Sequence, residues 1–140
     1  MRSTDMGARD FIPSGGIRLQ LRSHTKEEVI RELVSLLESE GELRSRFRFE
    51  ALSRSRLAFG RAPEGIDFKA IDGEPVYYLF MLLGPKPDPT NDFLPLLGHL
   101  ATWFRKPGVT ERLRELETPE ALLRLLDDEG VWSGKPIDLP

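Results

Sequence analysis

Few residues in this chain could carry nucleophilic or metal chemistry. There is no cysteine, and His24 and His99 are the only two imidazoles among 140 residues. An imidazole nitrogen can accept a phosphoryl group or ligate a metal. His24 stands just before Thr25, at the entry to an expected helix, where phosphate acceptance competes with the plainer reading of a solvated side chain. His99 falls two places off an apolar helical stripe, on a face shared with Pro95, Thr102 and Lys106. No second His, Asp or Glu stands at ligand spacing around it, so it reads as a surface residue. The serines are scattered, and none sits in a G-x-S-x-G setting with a histidine partner. Walker-type and dinucleotide glycine fingerprints are missing, so no nucleotide cofactor is implied. The residues therefore assign no catalytic, cofactor-binding or metal-binding position.

Charge offers a different candidate. Arg44, Arg46, Arg48, Arg54, Arg56 and Arg61 crowd one stretch in which Glu50 is the sole acid. Guanidinium forks match phosphate oxygens, so this cluster could bind a phosphoprotein, a nucleotide or nucleic acid. A solvated helix face is the competing reading. The chain as a whole carries 20 Lys and Arg against 23 Asp and Glu, a net charge of −3, which gives it no electrostatic pull toward DNA or anionic lipid. Phe47, Phe49 and Phe59 interleave with the arginines but serve a core equally well, and no RNA-binding motif accompanies them. Nucleic acid is disfavoured as a partner.

The elements that would position these groups follow from periodicity. Residues 1–16, ending in Pro13-Ser14-Gly15-Gly16, have little apolar content and read as a flexible N-terminal arm. Ile17 to Leu21 alternates like a half-buried edge strand. Thr25 and Glu28 form a capping box for a helix whose apolar face is Val29, Ile30, Leu33, Val34, Leu36 and Leu37, closed by Gly41. A short helix is expected from Glu42 to Leu52 and a strand from Arg56 to Gly60, with Ala62 to Gly65 as a turn. Asp72-Gly73 supplies a tight turn before Val76 to Leu83, an apolar run without polar alternation that predicts a strand buried on both faces. Pro85, Pro87 and Pro89 force a surface loop. Phe93, Leu96, Leu97, Leu100 and Phe104 recur at helical spacing, capped by Asn91 or Asp92 and stopped by Pro107-Gly108. Val109, Leu113 and Leu116 suggest another short helix. Thr118-Pro119 opens the last one, which carries Leu122, Leu123, Leu125 and Leu126. The tail from 130 to 140 holds Trp132 and Ile137 amid Gly and Pro.

Together these elements describe an α/β fold, a mixed β-sheet flanked by helices on both faces. The block GIDFKAIDGEPVYYLFMLLGP, from Gly65 to Pro85, resembles the IIA domain of the fructose/mannitol class of the bacterial phosphotransferase system, which includes the nitrogen-regulatory IIA proteins. In that family the segment typically reads P-I-D-F-x-A-x-D-x-x-P-V followed by an apolar strand. Val109-Thr110-Glu111-Arg112-Leu113 and Thr118-Pro119-Glu120-Ala121-Leu122-Leu123 look like the family's last two helices. The resemblance runs from about Thr25 to Asp128 and implies an IIA-like domain over 17–129.

That family carries phosphate on a histidine, set after a Gly-rich stretch and announced by a Pro-His pair. Here Glu50-Ala51-Leu52 passes through Ser53-Arg54-Ser55 straight into Arg56-Leu57-Ala58-Phe59, without that loop. The family's second histidine opens the helix after the central strand, a position that falls on Phe93. A phenyl ring cannot present a nitrogen lone pair to phosphorus. The resemblance implies a cytoplasmic component of the system that exchanges phosphate with the histidine phosphocarrier protein and regulates other proteins by binding. With both histidine positions lost, a regulatory or interaction protein without phosphotransfer of its own is expected. Its expected partner is the histidine phosphocarrier protein or a regulated protein, with no membrane involved. Phe93, Leu94, Ser53, Arg54 and Arg56 form the candidate interaction surface where the active site would stand. Two alternatives stay open: a phosphocarrier whose natural chain has a further histidine-bearing loop at the Ser53–Arg56 junction, and the arginine-patch anion or nucleic-acid binder.

Overall fold

A computed structural model describes residues 7–39, 56–84 and 93–131, with the side chain of Phe93 left aside. The expectations placed on Gly41, Glu42 to Leu52, the proline loop, the Asn91 or Asp92 cap, Trp132 and Ile137 lie outside the described residues. In chain order the elements are β1 (Ile17–Arg18), α1 (Lys26–Ser39), β2 (Arg56–Ile66), β3 (Val76–Leu83), α2 (Phe93–Phe104), α3 (Val109–Arg114) and α4 (Pro119–Asp128), preceded by 3-10 turns at Ala8–Asp10 and Ser14–Gly16.

The described sheet has the order β1-β2-β3. β1 runs parallel to β2, with Ile17 opposite Phe59, and β3 runs antiparallel to β2, with Phe59 opposite Phe80 and Arg56 opposite Leu83. Alternation along the strands divides the interior into two layers. Leu57 and Phe59 join α2, α3 and α4 in a core that includes Leu96, Leu100, Trp103, Leu113, Leu122 and Leu126, with Tyr78, Phe80 and Leu82 packed against it. Ala58, Ala62 and Ile66 meet Val29, Leu33, Leu36 and Leu37 of α1 on the opposite face, with Leu79, Met81 and Leu83 against them. The mixed sheet with helices on both faces is the architecture expected.

Local signals work where expected at the helix starts. The Thr25 hydroxyl accepts the Glu28 amide at 3.2 Å, and the Glu28 carboxylate reaches back to the His24 amide at 2.9 Å, one residue upstream of a standard box. Thr118 Oγ1 accepts the Ala121 amide at 3.1 Å, with Pro119 at the first helical position.

Four local expectations are corrected. Residues 7–16 are not too poor in apolar side chains to pack, because Ala8, Phe11 and Ile12 are all buried. The segment is pinned as well: the Leu57 amide donates to the Phe11 carbonyl at 2.9 Å, and the Ala8 amide to Asp127 Oδ1 at 2.8 Å. Ala62 to Gly65 is not a turn but a bulge inside β2, four residues standing opposite Tyr77 alone. Gly65 makes it possible with φ of 83°, and Pro63 is tolerated because a bulged residue owes no ladder hydrogen bond. β3 is half-buried rather than buried, and Tyr77 is 43% exposed. Side chains of β3 alternate between the two core layers, but the strand pairs with β2 on one edge only among the described residues. Ile30 and Leu97, placed on apolar helical faces, are also exposed. Each lies at the margin of its stripe, and on α2 the core position is taken by Trp103.

The real chain reversal lies between β2 and β3. The Gly73 amide donates to the Ala70 carbonyl at 3.0 Å with Gly73 at φ of 72°, and Asp72 Oδ1 takes the Glu74 amide at 3.0 Å. This is the Asx geometry that Asp-Gly predicts.

Candidate functional site

The residues proposed as an interaction surface come from two elements. α2 begins at Phe93, as the helical spacing predicts. Leu94, one position on, is 73% exposed, and Leu97, three residues further along the same side, is 45% exposed. Leu94 belongs to neither core cluster. The first turn of α2 therefore offers an apolar ridge to solvent. Arg56 opens β2 opposite the last residue of β3, and its Nη1 donates to the Asp10 carbonyl at 3.2 Å. This arginine ties the N-terminal turn to the sheet. Ser53 and Arg54 lie outside the described residues.

Both histidines are described. His24 is exposed ahead of α1, and His99 is partly buried in α2. Neither imidazole hydrogen-bonds any group among the described residues, whereas a histidine held for in-line attack is normally oriented through its second nitrogen. Of the six clustered arginines, Arg44, Arg46, Arg48 and Arg54 fall outside the described residues. The remaining two direct guanidinium nitrogens at main-chain carbonyls. Arg61 Nε donates to Leu19 O at 2.8 Å, and its Nη1 to Leu113 O, Arg114 O and Leu116 O at 2.8, 3.0 and 2.8 Å. It binds the C-terminal end of α3, where unpaired carbonyls concentrate negative charge. Sequence reading grouped Arg61 with anion binders because a spacing of arginines does not reveal which of them turn inward.

A second polar assembly went unnoticed in the sequence. Glu32, nearly two turns into α1, accepts the Ser23 hydroxyl at 2.6 Å, the Ser23 amide at 3.1 Å, the Arg22 amide at 3.2 Å and Arg18 Nη1 at 3.1 Å. Partial burial by itself would raise its carboxyl. The hydroxyl, the two amides and the Arg18 charge together outweigh that effect and hold Glu32 below the ordinary carboxylate range. Its role is to fasten the β1–α1 connection. On the other side of the molecule, Glu129 Oε1 accepts Trp103 Nε1 at 3.1 Å and Arg112 Nη2 at 3.0 Å, linking α2 and α3 to the end of α4. Among the described residues no group of three His, Cys, Asp or Glu is placed to hold a metal, and no helix is long and apolar enough to cross a membrane.

The fold is thus an α/β sandwich, a mixed sheet with helices on both faces. The chain belongs to the EIIA 2 family of the phosphoenolpyruvate-dependent sugar phosphotransferase system, whose pattern it matches over residues 45–129. It is 35% identical over 103 residues to the fructose-specific EIIA component of Haloferax volcanii, covering 67% of this chain and 66% of that protein. The nitrogen regulatory protein IIA-Ntr from Neisseria meningitidis superposes with a TM-score of 0.71 at 24% identity, covering 84% of this chain and 97% of that one. The Escherichia coli mannitol IIA, solved in complex with phosphorylated mannitol IIB, superposes with a TM-score of 0.64 at 18% identity, covering 88% of this chain and 97% of that one. Identities this low make both structures evidence of a shared fold. The chain spans between 23% and 66% of the length of the curated relatives it matches.

Proposed function

We propose that this chain is a IIA-like regulatory domain of the phosphotransferase system that acts in the cytoplasm by binding a protein partner and does not itself carry phosphate. The observation that carries this reading is the start of α2. The family places an imidazole at the position of Phe93, and here the phenylalanine is followed by the exposed side chains of Leu94 and Leu97. Phosphoryl transfer between proteins needs a nitrogen lone pair aimed in line at phosphorus, with donors around the departing oxygens. A phenyl ring supplies neither, whereas an exposed apolar ridge suits a protein contact. The two imidazoles the chain does have, without orienting partners among the described residues, support the same conclusion. The partner class is the histidine phosphocarrier protein of the system or a protein it regulates. A IIB protein is the partner in the solved mannitol complex.

The test is intact-mass measurement after incubation with phosphoenolpyruvate, the first enzyme of the system and the histidine phosphocarrier protein. The mass should not change. A stoichiometric, acid-labile gain of one phosphate would overturn the proposal and return the chain to the phosphocarriers.

A further inference from the structure

A cleft of about 810 Å³ opens at the far end of α2 from Phe93, where Phe104 closes the helix and β3 begins. Its walls are Tyr77, Tyr78 and Phe104, with Pro63, Pro75 and Val76 completing the apolar surface. The aromatic rings are set by their neighbours. Tyr78 packs edge-on to Phe104 with centroids 6.4 Å apart and donates its hydroxyl to the Thr110 carbonyl at 3.2 Å. Tyr77 lies so close to the β2 bulge that a Cβ added to Gly65 would come within 3.0 Å of its ring. Tyr77 is nonetheless 43% exposed, a rigid aromatic platform that requires little ordering when something stacks on it.

The charge of the cleft has one sign. Arg61 and Arg114 line it, and no acidic side chain does among the described residues. Glu111 accepts the Thr110 hydroxyl at 3.3 Å without being part of the lining. Arg61 is committed to carbonyls, as described above. Arg114 is exposed, and its guanidinium has no hydrogen-bond or ion-pair partner among the described residues. A cavity of this size, mostly apolar with one convergent charged group, has the make-up of a small-ligand site.

We infer that the cleft binds a small planar organic anion, whose aromatic or heteroaromatic ring stacks on Tyr77 while its single carboxylate, sulfonate or phosphate pairs with Arg114. The site lies about 16 Å along α2 from Phe93, taking 1.5 Å per helical residue. It does not depend on the partner-binding reading.

The test uses two fluorescent probes that differ by one sulfonate group: 1-anilinonaphthalene-8-sulfonate and its uncharged parent, N-phenyl-1-naphthylamine. The wild-type chain should bind the sulfonate saturably at one site, with amide shifts at Tyr77, Phe104 and Thr110. Arg114→Glu should weaken the sulfonate about tenfold or more and leave the neutral probe's affinity unchanged. Tyr77→Ala should weaken both. The thermal midpoint of each variant reports whether the fold is intact. Sulfonate affinity unchanged in Arg114→Glu, or affinity for both probes unchanged in Tyr77→Ala, overturns the inference, as does an absence of saturable binding to the wild type.

Discussion

Replacing Arg61 by Met would remove one guanidinium group while retaining an unbranched side chain of comparable length. Four main-chain carbonyls lose their donor: Leu19 O, Leu113 O, Arg114 O and Leu116 O, all within 3.0 Å. A hydrogen bond to a charged group contributes about 1.5 to 3 kcal/mol net, but three of the four contacts share one nitrogen and cannot be counted separately. Treating the Nε and Nη1 contacts as two effective bonds gives about 3 to 6 kcal/mol. The carbonyls at the end of α3 can turn toward water, which brings the expected loss to about 3 kcal/mol. For a chain of 140 residues that corresponds to a fall in midpoint of about 10 °C. Urea unfolding and calorimetry would measure it, and amide exchange should show α3 losing protection before the sheet does. Arg61→Lys keeps the charge without the fork and should recover less than half of the loss. A loss below about 1 kcal/mol, or full rescue by lysine, would show that Arg61 contributes only generic charge and that Val109, Leu113 and the Arg112–Glu129 pair suffice to hold α3.

Two further outcomes follow from other contacts. Glu32→Gln should flatten the acid limb of the stability curve: a carboxyl held below its unfolded value of about 4.3 contributes stability above that pH, lost as pH falls through the lower folded value, so wild type and variant should converge on acidification in urea titrations. Equal stability at pH 7, with parallel acid limbs, would refute the role given to the Ser23 and Arg22 bonds. Phe80→Ala should cost about 3 kcal/mol, at the lower end for such truncations because β3 is half-buried, through lost contact with the Phe59 ring at 4.8 Å and the Trp103 and Phe104 rings at 6.4 Å. Denaturant midpoints would register it, and a cost below about 1 kcal/mol would mean that the aromatic layer contributes little.

What was legible in the sequence was whatever depends on local chemistry. Thr25 and Thr118 mark their helix starts because a hydroxyl must satisfy amides within its own first turn. Asp72-Gly73 marks its turn for the same kind of reason. The division of β3 into two faces follows from the period of a strand. The burial of that strand was not legible, because an apolar run reads alike whether one edge or both are paired. The bulge at Ala62 to Gly65 was misread as a turn since Pro and Gly punctuate both. Residues 7–16 looked like an arm because the partners that bury Phe11 and Ile12 lie far away in sequence. The candidate surface divides in the same way. The start of α2 at Phe93 could be read from spacing, and the exposure of Leu94 is in keeping with its place off the stripe. The tie of Arg56 to Asp10 and the clamp of Arg61 on α3 are tertiary contacts, and no local pattern announces them.

The bond from the Ala8 amide to Asp127 joins residues 119 positions apart. The N-terminal turn buries Ala8, Phe11 and Ile12 in the same core as Leu122, Leu123 and Leu126 of α4. During synthesis at about 5 to 20 residues per second, that partner surface does not exist until roughly 6 to 24 seconds after Ala8 has been made. For this interval residues 7–16 have only their ties to β2, through the Phe11 carbonyl and the Leu57 amide and through the Asp10 carbonyl and Arg56, while α1, β2 and β3 can already pair and pack on one another. Residues 7–16 thus reach their full packing only when α4, far along the chain, joins them.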